Sequence, residues 1–221
     1  MRPTDSHIIT RARSILPLIG RSGLRLEGLI WAALISISLS AQVTDGELFR
    51  AYQREDMSVW KEYLSSNPIT SNPLTPNPLL YEYGLCGYMV DRERSAAKSY
   101  VQRFRQHVEE AREVLPAGHY EMYMSAVYVY ELQLKESLRP IKAMSLAKQA
   151  TKLAPNDPLV LSYYGTCLFY APKPFGSKSE ALEWFTKAKR YFVGDEWQYC
   201  WVREANEMYI RQCKEKLKVK R

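Results

Sequence analysis

Small residues recur in this chain where two helices would have to cross closely, and that recurrence restricts the fold more than any other feature. Ala143, Ala147 and Ala150 in PIKAMSLAKQATKLAPNDP lie at helical spacing and share one face. Pro155 and Pro158, with Asn156 and Asp157 between them, stop one helix and start the next. Gly165 follows within an apolar run, and Ala181, Phe185 and Ala188 form a second stretch of the same kind. Leu80, Tyr83, Gly84, Ala96 and Tyr100 repeat the arrangement earlier in the chain. A glycine without a Cβ lets the second helix of a pair come close to the first. Glycine is otherwise sparse, at ten of 221 residues, and several prolines fall between apolar runs. That distribution favours helices over a turn-rich sheet protein.

These positions match the tetratricopeptide (TPR) pattern W-x2-L-G-x2-Y…A-x3-F…P, which repeats about every 34 residues. Leu161, Tyr164, Gly165 and Leu168 fall at its W, L, G and Y positions. From Gly84 to Ala96 is 12 residues, but from Gly165 to Ala181 is 16. The excess falls in Ala171–Lys178, where Pro172, Pro174 and Gly176 predict a stiff inter-helix loop. The second helix of the first unit is expected to run to about Leu115, before Pro116 and Gly118. A middle first helix is expected over His119–Lys135, with Val127 and Tyr130 in the large slots and Glu131 in the glycine slot. A last helix over Glu196–Lys216, carrying Tyr199, Val202 and Ile210, would cap the stack as a solenoid requires. The expected fold is all-α: TPR-like antiparallel helix pairs stacked as a short right-handed solenoid over 79–216.

Residues 42–65 predict an N-terminal helical pair, with Phe49, Tyr52, Trp60 and Tyr63 facing inward. Asn-Pro at 67–68, 72–73 and 77–78 predicts an extended linker over 66–78, because a residue before proline avoids the helical region. Residues 1–41 carry five arginines against Asp5 and Glu27, then the apolar run LIWAALISISL at 29–39, then Ser40 and Ala41. That is the layout of a signal peptide, with cleavage expected near Ala41 and a periplasmic destination. The run is shorter than the roughly 20 residues a membrane-spanning helix needs. The alternative is an uncleaved leader that leaves the chain anchored at the inner membrane. The four cysteines show no C-x-x-C spacing; Cys86 and Cys167 sit in apolar helical runs, and Cys200 and Cys213, on one expected helix, would stand about 20 Å apart, so mostly free, buried thiols are expected. A basic tail occupies 217–221.

Asn77–Phe185 resembles TPR proteins of Bacteroidetes-type bacteria. The match is carried by GTCLFYAPKPFGSKSEALEWF at 165–185, and AYQREDMSVWKEYL at 51–64 is similar to that family's N-terminal helices. The resemblance implies fold and lineage and says little about activity.

Catalytic constellations do not emerge. His107 begins HVEEAR, which lacks the second histidine of H-E-x-x-H, and His119 stands at an expected helix start. No phosphate-loop, dinucleotide or nucleophile-elbow motif occurs. Glu109–Glu110 and Asp195–Glu196 are adjacent on helices and so do not face each other. No enzyme, cofactor or metal is therefore expected. The formal charge is +7, but no basic stripe with interleaved aromatics runs through the body, so nucleic acid is not expected as a partner.

In a TPR array the first helices line the concave face. The positions predicted to line it are Tyr81, Leu85, Tyr88, Met89, Tyr128, Leu132, Thr166, Phe169 and Tyr170. Such a tyrosine-rich surface suits a protein or peptide partner in the cell envelope. The same stripe at helical spacing also fits a packed core. Two further readings stay open: a membrane-tethered structural subunit, and a small-ligand protein or enzyme using the 172–178 loop with Lys173 or Lys178.

Overall fold

The structure, a computed structural model, describes residues 43–67, 77–136 and 139–218, and among these residues it is all-helical with no strand. The leader, the linker residues 68–76 and the final residues 219–221 lie outside the described residues. The helices are α1 Asp45–Gln53, α2 Met57–Ser66, α3 Pro78–Arg92, α4 Arg94–Glu110, α5 His119–Gln133, α6 Pro140–Leu153, α7 Pro158–Tyr170, α8 Lys178–Lys189 and α9 Trp201–Lys218. None is long and apolar enough to cross a membrane.

Local chemistry sets the helix starts. Thr44 and Glu47 form a reciprocal capping box at α1, with Thr44 N–H donating to the Glu47 carboxylate at 2.8 Å. Asp56, Asn77, Asp157 and Ser177 cap α2, α3, α7 and α8 through their side-chain oxygens. Proline opens α3, α6 and α7, where its missing N–H costs nothing.

Two boundaries differ from the sequence expectation. Helix α4 ends at Glu110, and the chain reaches Leu115 through turns, with Leu115 N–H donating to Ala111 O. The last helix begins at Trp201 instead of Glu196. Gly194 takes φ 101°, a conformation only glycine adopts freely, and a 3-10 turn over Asp195–Trp197 follows. That turn sets the Trp197 ring edge-on to Phe192 at 5.2 Å.

Each helix packs on the next, most extensively within α7/α8 and α5/α6, followed by α8/α9 and then α3/α4. Helices α3, α5, α7 and α9 also touch one another in succession and form an inner row, with α4, α6 and α8 behind it. The outer helices close on this row through small side chains: Ala97, Ala147, Ala150, Ala181 and Ala188 are all fully buried. Ala96, matched to the pattern, is exposed instead. The buried face of α4 runs Ala97, Val101, Phe104 and Val108, so the small residue falls one position later than the pattern places it.

All four cysteines are free; Cys86, Cys200 and Cys213 are buried and Cys167 half-buried. Burial pushes each thiol up, Cys167 to about 11 and Cys86 well above its usual range.

Between the starts of α5 and α7, His119 Nε2 pairs with Asp157 Oδ2 at 2.9 Å. The second Asp157 oxygen accepts the N–H groups of Leu159 and Val160. Burial alone would raise this carboxyl; the His119 bond and charge and the two amides outweigh it and hold the pKa below the usual range. A depressed carboxyl contributes stability above its ordinary pKa of about 4 and loses it as the pH falls through the lower folded value. Asp157→Asn keeps a capping oxygen and removes the charge. Melting temperatures of the two proteins are expected to converge on acidification from about pH 5 to about pH 3. Parallel curves would show that the pair is not linked to stability.

Candidate functional site

The inner row is rich in rings, and those rings meet. Tyr83 of α3 lies within 6.2 Å, centroid to centroid, of Tyr123 and Tyr130 of α5, Tyr163 of α7 and Trp201 of α9. Trp201 also reaches Tyr52 of α1 and Trp60 of α2 at 5.7 and 5.8 Å. Gln53 donates to Glu204, and the Phe49 ring lies 6.2 Å from that of Tyr199. The N-terminal pair thus meets the C-terminal segment beside Tyr83. What remains inside is a cavity of 130 Å³ lined by Tyr83, Met122, Ser162, Thr166, Trp201 and Tyr209, among others.

This closure separates the predicted surface residues. Tyr81, Leu85, Met89 and Phe169 are buried core. Tyr81 donates its hydroxyl to Asp45 at 2.9 Å and meets the Trp60 ring edge-on at 4.9 Å, so α1 and α2 cover it. Burial, with the Asp45 charge and hydrogen bond, drives its pKa far up. Tyr88 and Leu132 are half-buried, Thr166 lines the internal cavity, and Tyr170 is exposed at the far end of α7. Tyr128 opens onto a sizeable external cleft. The nine positions do not form one groove: α1 and α2 cover Tyr81, while Tyr128 faces Arg105 of α4 and Lys142 of α6.

The external cleft has a volume of 570 Å³ and lies where α4 passes the end of α5 and the start of α6. Lys98, Gln102 and Arg105 come from α4, Tyr128 and Glu131 from α5, and Arg139 precedes α6. Arg105 grips Glu131 with two nitrogens, at 3.0 and 2.6 Å. Lys98 pairs with Glu136 at 2.9 Å. At the base, the Tyr128 ring is flanked by Arg105 and Lys142, each 5.0 Å from its centroid. Tyr128 is 7% exposed. Hydrogen bonding from Lys142 lowers its pKa, burial opposes, and Arg105 adds to the lowering. The cleft therefore joins a buried phenol to a rim of cations, two of them held by carboxylates. Such a lining can pair with negatively charged or hydrogen-bonding groups. Ultraviolet titration should show one tyrosine ionising below the ordinary range near 10. Tyr128→Phe should remove that component; its persistence would assign it elsewhere.

The cations around Tyr128 were not legible in the sequence, since Arg105 and Lys142 approach the ring from different helices. A second cluster was also missed. Glu82 of α3 is 1% exposed and accepts from Arg103 Nε at 2.9 Å, with His107 Nδ1 at 2.8 Å. The available signal was a lone carboxylate inside the apolar run PLLYEYGLC at 78–86, opposite an Arg and a His one helical turn apart. This cluster ties α3 to α4. In the 172–178 loop the amides of Phe175 and Gly176 both donate to Pro172 O, so they are turned inward and not toward a phosphate. Among the described residues no group of three or more His, Cys, Asp and Glu is placed to hold a metal ion. No family model, curated protein or solved structure matches the chain.

Proposed function

We propose that this chain is an exported TPR-like scaffold that engages a protein partner in the bacterial cell envelope, and that it docks an acidic segment of that partner in the Tyr128 cleft. The observation that carries this reading is the cleft. It is the larger of the two cavities described above, it is open to solvent, and its rim of Lys98, Arg105 and Arg139 outweighs Glu131 and Glu136. The layering of α3, α5, α7 and α9 in front of α4, α6 and α8 supports the TPR-like part of the reading. The arginine-rich leader with its apolar run supports export.

The test is photo-crosslinking in cells, with the probe at Gln102 on the cleft rim and, as control, at exposed Glu183 on α8. The expected result is a discrete adduct from Gln102 alone, lost when Arg139→Glu reverses a rim charge. An adduct from Glu183 alone would move recognition off the cleft. An adduct that survives Arg139→Glu would remove the acidic character assigned to the partner.

A further inference from the structure

The far end of α7 carries an unusual surface. Tyr170 and Phe175 are 65% and 61% exposed, within six residues of each other. Tyr170 is held by its neighbours. The Tyr170 ring packs edge-on to Phe169 at 5.0 Å and its hydroxyl meets that of Tyr209 at 3.2 Å. Phe175 sits in a loop that folds back on the helix it leaves: a Cβ on Gly176 would stand 2.1 Å from Ala171 O. The loop therefore has one tight path, and that path leaves the phenyl ring in solvent.

Lysines lie close by, two of them over the buried Phe169 ring next to Tyr170. Lys178 Nζ lies 3.7 Å and Lys216 Nζ 4.8 Å from the centroid of Phe169, so the end of α9 stands beside the start of α8. Lys173 is exposed in the loop itself. The segment 170–178 holds no acidic residue. Over residues 211–218 of α9, Arg211, Lys214, Lys216 and Lys218 stand against Glu215, and Glu180 is the nearest acidic residue along α8.

We infer that this end of the molecule docks on an anionic lipid bilayer, with Tyr170 and Phe175 entering the headgroup layer and the exposed Lys173 and Lys216 meeting lipid phosphates. Aromatic side chains ringed by lysines are the composition of an interfacial anchor, where amphipathic rings settle at headgroup depth. Anionic lipid adds about fivefold in partitioning for each lysine near the surface. A protein partner fits less well: interface anchors fill pockets on the opposing surface, and charged residues are depleted at the centre of such contacts. Here lysines stand among the rings. The surface lies on α7, α8 and α9, away from the Tyr128 cleft on α4, α5 and α6, so the two readings stand or fall separately.

The test uses the full chain and a residue-level readout, so that binding through the apolar leader does not count. A polarity-sensitive fluorophore is placed at Ser179→Cys, beside the loop, or at Glu113→Cys, in the turn after α4; both positions are exposed. The protein is mixed with vesicles of phosphatidylcholine alone or with phosphatidylglycerol, containing lipids brominated on the acyl chain. The expected result is quenching at 179 but not at 113, in the anionic vesicles only. Lys216→Ala should lower the partition coefficient about fivefold. Phe175→Ala should lower it about tenfold through lost apolar burial. Absence of quenching at 179 would overturn the proposal. So would equal quenching in neutral vesicles, or anionic binding indifferent to Phe175→Ala. A spectral shift at 179 with polyglutamate but not with vesicles would assign the surface to an acidic protein instead.

Discussion

Alanine at position 60 is expected to lower the stability of the fold by about 3–5 kcal/mol, the range for removing a large buried aromatic. Trp60 is 1% exposed and its indole N–H donates to Leu48 O at 2.8 Å, joining α2 to α1. Its ring contacts Tyr52, Tyr81 and Trp201, so one side chain links the N-terminal pair to the inner row and to the C-terminal helix. Deletion leaves a cavity bordered by rings that cannot collapse into it, and it leaves the Leu48 carbonyl without its partner. Against a domain stability of about 5–15 kcal/mol, the loss is large. Urea unfolding measures it, with half-buried Trp184→Ala as the comparison. A loss below about 1 kcal/mol at Trp60 would mean that α1 and α2 do not unfold together with the rest.

Phe185→Ala is expected to cost about as much, roughly 3–5 kcal/mol, for a different reason. Phe185 is fully buried on α8, lies parallel to Tyr209 of α9 at 5.1 Å, and rests directly on Gly165 of α7. A Cβ at 165 would stand 2.8 Å from two of its ring carbons. Gly165→Ala alone should therefore cost about 1–3 kcal/mol by overpacking. Combining it with Phe185→Leu should recover part of that cost, since a shorter side chain makes room for the methyl. A double-mutant cycle reads the coupling directly. Additive effects would mean that the contact is not what excludes a side chain at 165.

The two glycines show how far the sequence could be read. At Gly165 the reasoning from the repeat pattern meets its cause: a residue of the next helix occupies the space a Cβ would take. At Gly84 the same pattern leads to a different cause. There a Cβ would stand 2.7 Å from Trp60 and 2.8 Å from Trp201, two indoles from opposite ends of the chain. Spacing along one helix identifies where room is needed and cannot say who takes it. The same limit explains the lining positions. Tyr81 and Met89 were placed on the correct helix, but whether that face is groove or core depends on what the termini do. The slip from Ala96 to Ala97 is of another kind: the two residues are both small, and only the buried series ending in Val108 distinguishes them. The start of α7 was more legible, because Asp157 and Pro158 act on neighbouring residues alone; Asn77 and Pro78, expected in the linker, instead cap and open α3.

The meeting of Trp60 with Trp201, and of Gln53 with Glu204 across 151 positions, also governs the order in which this protein is completed. A stack of helical repeats ordinarily grows by local steps, each unit settling on the one before it. Here the first helices made have no counterpart at the far end until the last helix has been synthesised. Until then the sides of Tyr52, Trp60 and Tyr83 that Trp201 covers stay open on an unfinished chain, the condition in which collapsed intermediates associate with one another. A nascent or truncated chain ending before Trp201 would therefore depend on a chaperone to stay apart from its own copies.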